Sequence, residues 1–385
     1  MQSVVLKKDK ENIFRQRHHW IFSGAIHSYP DSYQEGELVP ISSWNKEHLG
    51  WGFFNRSCSL AGRIVSFGHE DVYASVKKTL FRAIALRHEL LYSPLTTACR
   101  LVNGEGDALP GLIVDKYGPY LVIQTGALGM HKMLPFLIEC LKEKISLSGI
   151  YDKSSGKEEG MEDQGKVLWG EIPDVVTILE EGIQFSVDIK RGQKTGFFLD
   201  QREMRKILRL LAPRKRVLNC FCYTGGFTLS ALAGGAAYVD SVDISASAMN
   251  LCLENVKLNG FALEKSGFYQ KDVFNFLENC SGDYDLVILD PPAFAKKKKD
   301  ISSAVKGYKK LFSLAMKKMP QNCQLLLSSC SYYIPETLFE KIVIEAAIEA
   351  QREPRILCRH RHAFDHPLNP YHPESAYLKS LLIVN

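Results

Sequence analysis

Arg216-Val217-Leu218-Asn219-Cys220-Phe221-Cys222-Tyr223-Thr224-Gly225-Gly226-Phe227 carries the most information about the fold. A short apolar strand runs into a turn with paired glycines, which lets backbone approach a ligand closely. A tight packing turn would use the same residues, and no G-x-G-x-x-G is present. Moving outward, Ala236–Val242, Asp285–Leu289 and Gln324–Ser328 are further apolar strands. Helical patterns lie between them, among them Ser247–Leu258, closed by Asn259-Gly260. Continuous apolar strands alternating with helices predict an α/β fold with a parallel sheet covered on both faces. Such sheets bind ligands beyond the carboxyl ends of their strands.

The residues at those ends have a consistent chemistry. Asp243 follows the second strand, where a carboxylate suits the two hydroxyls of a ribose. A helix cap is the alternative, though Ser245 serves that purpose equally well. Asp272 is placed to accept from an adenine amino group, or to cap a helix. Asp290-Pro291-Pro292-Ala293-Phe294 follows the fourth strand. Paired prolines stiffen that loop, and Phe294 is a candidate stacking surface for a base. Ser329-Cys330-Ser331 follows the fifth strand. If the fourth and fifth strands are neighbours, Cys330 faces Asp290 and is a candidate nucleophile, requiring activation of its thiol.

The whole chain has 385 residues, 48 Lys plus Arg and 43 Asp plus Glu, a net charge of only +5. Nine lysines and one aspartate fall between residues 291 and 318, so the positive charge is local. Lys296, Lys297, Lys298 and Lys299 beside the proposed loop are read as phosphate contacts. The apolar content of 45% excludes bulk disorder. No apolar run approaches the ~18 residues of a membrane span, and the first residues carry no secretory pattern. The ten cysteines include no C-x-x-C, and reduced thiols in a cytoplasm are expected. No metal is expected: Cys358, His360, His362, His366 and His372 fit no zinc spacing.

Three domains are expected, at 1–72, 73–190 and 191–385. The first has short strands at Gly36–Ile41, Leu49–Phe54 and Arg63–Phe67, as in a small barrel. The second mixes a helix at Val76–Arg87, a hairpin within Leu112–Gln124, a helix over 130–144, and strands at Gly165–Trp169 and Gln184–Ile189.

Taken in order, these motifs resemble the ribosomal RNA large subunit methyltransferase I family of 23S rRNA 5-methylcytosine enzymes. Arg17-His18-His19-Trp20-Ile21-Phe22-Ser23-Gly24-Ala25 is similar to the family's opening R-x-H-P-W-V-F-S-G, with His19 in place of Pro. Gly104–Leu112, Lys194–Arg202, Asn219–Phe227, Asp290-Pro291-Pro292, Ser329-Cys330-Ser331, Asp365-His366-Pro367 and Tyr377-Leu378-Lys379 follow in the family's order.

The resemblance implies a PUA β-barrel that binds RNA, a central α+β domain, and a Rossmann-like class I methyltransferase with a final antiparallel strand at Ser380–Val384. It implies S-adenosylmethionine held by Asn219, Phe221, Tyr223, Thr224, Gly225, Asp243, Ile244, Asp272, Val273 and Asp290. Lys194, Thr195, Gln201 and Arg202 would close that site. Cys330, Asp290, Pro291 and Pro292 would be catalytic, and Phe294, Lys296 to Lys299, Arg17 and Trp20 would hold RNA. The substrate would be 23S rRNA or a large-subunit assembly particle, not a membrane, and a homodimer is compatible with this reading. Many other 5-methylcytosine RNA enzymes carry a second Cys after the Asp-x-Pro loop. Ala293 stands there, so the base that takes the C5 proton is unassigned. Three alternatives stay open: methylation of uracil C5 or guanine N7, a non-catalytic RNA-binding protein, and a nicotinamide oxidoreductase, which the missing G-x-G-x-x-G disfavours.

Overall fold

The computed structural model describes residues 2–91, 93–154 and 165–385. The chain forms two compact units. The first contains Met1–Ile178, Val187–Phe197 and Phe364–Ser375; the second contains Leu179–Ser186, Phe198–Ala363 and Ala376–Asn385.

The first unit carries a six-stranded sheet and a five-stranded sheet. Strands Val39–Ser42, His48–Phe54 and Gly62–Phe67 of the six-stranded sheet match the sequence reading. Val4–Leu6, Trp20–Ile21 and Ile26–Ser28 are too short to show a period, and only pairing reveals them. The 20-residue helix Val72–Leu91 packs Val76, Leu80 and Ala83 into a second core with strands of the five-stranded sheet. The predicted hairpin is present as Leu112–Tyr117 and Tyr120–Thr125, paired antiparallel.

Buried ion pairs organise this unit. Arg87 donates to both oxygens of Asp107 at 2.6 and 2.7 Å and to the Asp365 carbonyl at 2.8 Å. Arg100 binds Asp115 in the same forked way at 2.8 and 2.9 Å. Such planar two-point pairs satisfy both charges when water is excluded. Gly106 leaves no room for a side chain, since a Cβ there would meet the Pro367 carbonyl oxygen at 2.0 Å. The Gly104–Pro110 and Asp365-His366-Pro367 motifs are therefore two halves of one internal lock.

The second unit is a seven-stranded sheet. Its strands are β1 (Arg216–Cys220), β2 (Tyr238–Asp243), β3 (Ser266–Gln270), β4 (Leu286–Leu289), β5 (Gln324–Ser329), β6 (Arg355–His360) and β7 (Lys379–Val384). Its helices are α1 (Arg202–Leu211), α2 (Gly226–Ala233), α3 (Ala246–Leu258), α4 (Val273–Asn279), α5 (Ile301–Lys318) and α6 (Glu336–Ala350). The strand order is β3-β2-β1-β4-β5-β7-β6. All neighbours are parallel except β7, which runs antiparallel to β5 and β6.

Strand β4 is buried along its whole length, as its unbroken Leu-Val-Ile-Leu run requires. The chain winds from β1 to β3 on one side and restarts at β4 on the other. That reversal opens a crevice at the carboxyl ends of β1 and β4. The register pairs Cys220 with Val242 and Leu289, and Leu289 with Leu327. The strand-end loops therefore start level along one edge.

Candidate active site

The turn after β1 is held in a conformation that most residues avoid. Phe221, Tyr223 and Gly225 have φ of 57°, 47° and 86°. Left-handed backbone at two aromatic residues is strained, and surrounding structure must hold it. Asp243 supplies part of that support: its Oδ2 accepts from Tyr223 N at 2.9 Å and its Oδ1 from Ser245 N at 2.9 Å. Ser245 caps α3 through Ala248 N, so the capping role expected of one of the two falls to Ser245. Asp243 is left as an oriented carboxylate at the strand end.

Asn219 is buried beneath the turn. Its Nδ2 donates to Thr228 Oγ1 at 2.9 Å, and Thr228 shares a 2.7 Å bond with Ser241. Among the described residues, its Oδ1 has no hydrogen-bond partner. A buried acceptor without a donor is costly, and a bound ligand with an amino group would satisfy it. Ile244, which follows Asp243, is 72% exposed. It offers an apolar face where a nucleoside would lie. This donor and acceptor set fits S-adenosylmethionine.

Asp272 is exposed and accepts from Asn275 N at 3.0 Å, capping α4. Of its two sequence readings, the structure displays the cap. Val273 is buried in the core. Thr224 is buried, and its carbonyl accepts from Asn255 at 3.0 Å.

The segment Lys194–Arg202 divides between the units. Lys194 and Thr195 belong to the first, where Thr195 is fully buried and donates to Asp115 at 2.6 Å. Gln201 and Arg202 belong to the second. Arg202 is buried 3.3 Å from Glu180. Gln201 donates to Asp290 Oδ2 at 3.1 Å, which fixes that carboxylate.

The loops after β4 and β5 lie side by side. Cys330 Sγ is 4.0 Å from the Pro291 carbonyl oxygen. Tyr308 bonds Ser329 at 3.0 Å and Ser331 at 2.9 Å, and Ser331 Oγ accepts from Ala295 N at 3.3 Å. These bonds tie α5 and both loops together around Cys330. The thiol differs in exposure from the buried Cys220, Cys222 and Cys323. A hydrogen bond with Cys252 and burial push the Cys222 thiol well up, burial pushes up Cys220, and burial pushes Cys323 up to about 12. These three stay protonated and inert, whereas Cys330 is partly exposed. All ten cysteines are free thiols.

Phe294 packs on Tyr308, centroids 4.5 Å apart. Lys296 to Lys299 are exposed beside this loop. The basic strip does not act as one surface, however. Lys309 and Lys317 pair with Glu349 at 3.5 and 3.4 Å, so part of it is neutralised between α5 and α6. In the first unit, Arg17 lies 5.1 Å from the Phe67 ring centroid, and Trp20 Nε1 donates to Glu105 at 2.8 Å.

His18, His372 and Glu374 come within metal-ligand spacing. His372 Nε2 accepts from His19 N at 2.7 Å, so its ring proton sits on Nδ1, the nitrogen facing Glu374. Sequence reasoning missed Lys379 as part of the site: it is buried on β7 and donates to the Ser331 carbonyl at 2.6 Å. Its only signal was its place in the Tyr377-Leu378-Lys379 motif.

Comparison with known proteins agrees with this geometry. Residues 161–348 match the S-adenosylmethionine-dependent methyltransferase family and residues 4–67 a PUA-like domain. The chain is 39% identical to the ribosomal RNA large subunit methyltransferase I of Tolumonas auensis, over 99% of this chain and 98% of the relative. It is 38% identical to the protein of the same name from Aliivibrio fischeri, over 98% of each. A crystal structure of the methyltransferase-like protein SMU.776 with S-adenosylhomocysteine superposes with a TM-score of 0.87 at 25% identity, over the full length of both chains.

Proposed function

From the premise that the chain belongs to the ribosomal RNA large subunit methyltransferase I family, we propose that this S-adenosylmethionine-dependent methyltransferase methylates C5 of a cytosine in 23S rRNA through a covalent Cys330 adduct. The observation that carries the reading is the placement of Cys330 Sγ 4.0 Å from the Pro291 carbonyl, at the level ends of adjacent strands. Asn219, the 221–225 turn, Asp243 and Ile244 would hold the cofactor, with Asp272 and Val273 at the next strand end. Bound there, it supplies a methyl group made electrophilic by a sulfonium.

C5 of cytosine is a weak nucleophile. Addition of the Cys330 thiolate to C6 makes C5 enamine-like and able to accept a methyl group. Loss of the C5 proton to a base then breaks the Sγ–C6 bond, expelling the Cys330 thiolate and restoring the aromatic ring. Asp290, fixed by Gln201, would hydrogen-bond the base edge near N3. Pro291 and Pro292 would shape the pocket. The base must be flipped or unpaired to enter. Lys296 to Lys299 and Phe294, with Arg17 and Trp20 of the PUA-like part, would hold flanking RNA. Residues 1–72, 73–190 and 191–385 would then serve as RNA-binding, connecting and catalytic parts. Free thiols throughout support a reducing cytoplasm.

The test is incubation of unmethylated 23S rRNA with tritiated S-adenosylmethionine, followed by nucleoside mass spectrometry. 5-Methylcytidine is expected with the native enzyme and none with Cys330→Ala, which should still bind S-adenosylhomocysteine. RNA containing 5-fluorocytosine should remain covalently attached, because fluorine cannot leave as the proton does. Methylation by Cys330→Ala, or a product of 5-methyluridine or 7-methylguanosine, would overturn the proposal.

A further inference from the structure

We infer that Lys379 is the positioning residue that provides the counter-charge to the Cys330 thiolate, an inference that rests on the covalent reading above. The antiparallel register places Lys379 directly opposite Ser329, the residue before Cys330. Its Nζ donates to the Ser331 carbonyl at 2.6 Å and to the Tyr377 carbonyl at 2.8 Å. The amine is thus anchored against the residue that follows Cys330, while the backbone of Lys379 pairs with the residue that precedes it. An ammonium has three donors, and the two carbonyls take two of them.

The side chain is buried, with the residue only 5% exposed. Among the described residues, no carboxylate lies within ion-pair distance of it. A buried cation without a paired anion is unfavourable to the fold, and such groups concentrate at functional sites. Two groups that carry negative charge when ionised are close enough to raise it: Cys330, and Glu336 at the start of α6. Glu336 is itself engaged by Arg361, which leaves Cys330 as the charge Lys379 is placed to balance. Burial brings the lysine down to about 8, and both groups act to raise it. At neutral pH it is therefore mainly charged. The charge favours loss of the thiol proton to solvent, as cations beside cysteines do elsewhere. Tyr308, bonded to Ser329 and Ser331 on either side of Cys330 in the chain, remains neutral, its ionisation pushed up by burial.

The experiment reads the thiol directly. Alkylation of Cys330 by iodoacetamide is followed against pH and resolved by peptide mass spectrometry, in the full-length protein without RNA. The native midpoint should fall below the ~8.5 of a free thiol. Lys379→Met and Lys379→Gln should raise it by about one pH unit, a tenfold loss of thiolate near neutrality, and Lys379→Arg should restore most of the native value. The acid limb of the kcat–pH profile should move with it. Retained S-adenosylhomocysteine binding establishes that each variant is folded. A native midpoint at or above that of a free thiol overturns the inference without any variant. So does an unmoved midpoint in folded Lys379→Gln, which would leave Lys379 as a structural tie between two carbonyls. These outcomes are separate from the covalent proposal, which falls only if Cys330→Ala still methylates.

Discussion

Gly225→Ala tests whether the turn after β1 is a built ligand cradle. Two costs can be worked out. Gly225 has φ of 86°, and an alanine in left-handed backbone costs roughly 1–2 kcal/mol. A Cβ would also meet Cys252 Sγ at 2.5 Å and Leu229 Cδ1 at 3.1 Å. Cys252 is fully buried and cannot withdraw into solvent, so overpacking adds roughly 1–3 kcal/mol. The sum is about 2–5 kcal/mol. Gly260 is the internal control: its φ is 68° and nothing lies within 4 Å of the added Cβ. Gly260→Ala should therefore cost only the backbone part, roughly 1–2 kcal/mol. In a Cys252→Ala background the cost of Gly225→Ala should fall toward that control, since neighbouring sites couple. All four tryptophans lie in the first unit, so fluorescence does not report this loop. Amide hydrogen exchange across β1, β2 and α3 does, and calorimetric titration with S-adenosylhomocysteine reads the site. Equal costs for Gly225→Ala and Gly260→Ala in the native background would refute the steric reasoning.

Other outcomes follow from the same geometry. Asp243→Ala removes the acceptor of Tyr223 N and Ser245 N, so S-adenosylhomocysteine affinity should fall about tenfold or more; an unchanged Kd would displace the ribose from Asp243. Burial brings His19 down to about 4 and His372 down to about 3 from the ordinary 6.5. The unfolded chain therefore takes up protons below pH 6.5 that the folded first unit refuses, and stability drops as pH falls from 6.5 toward 4. Tryptophan fluorescence in urea should show a lower midpoint at pH 5 than at pH 7.5, and His19→Gln should flatten the slope; a constant midpoint would contradict the buried neutral imidazoles.

Much of the catalytic unit was legible because its signals are local. β4 reads as a buried strand because every residue is apolar, and α3 ends at Asn259-Gly260 because Gly260 takes a left-handed turn. Asp243 and Ser245 divide their roles as the sequence reading allowed. Asp272 was ambiguous, since the same carboxylate suits a cap and an adenine, and nothing in its neighbours decides between them. Edge strand β6 escaped because its side chains are mostly exposed and lack a buried apolar run. Charge counts along the chain do not register that Glu349 lies across from Lys309 and Lys317.

By itself, then, the amino-acid sequence determined the alternation of strands and helices, the turn glycines, and the reactive side chains at each strand end. Those depend on residues close together in the chain, through periodicity and backbone preference. Only the tertiary structure decided which of those ends meet. The order β3-β2-β1-β4-β5-β7-β6 sets Cys330 beside Pro291, and the antiparallel insertion of β7 between β5 and β6 brings Lys379 to Ser331. It also showed Thr195 buried on Asp115 within the first unit rather than exposed to a ligand there. Pairings of this kind join distant residues through sheet order and register, and no local pattern of hydrophobicity records them.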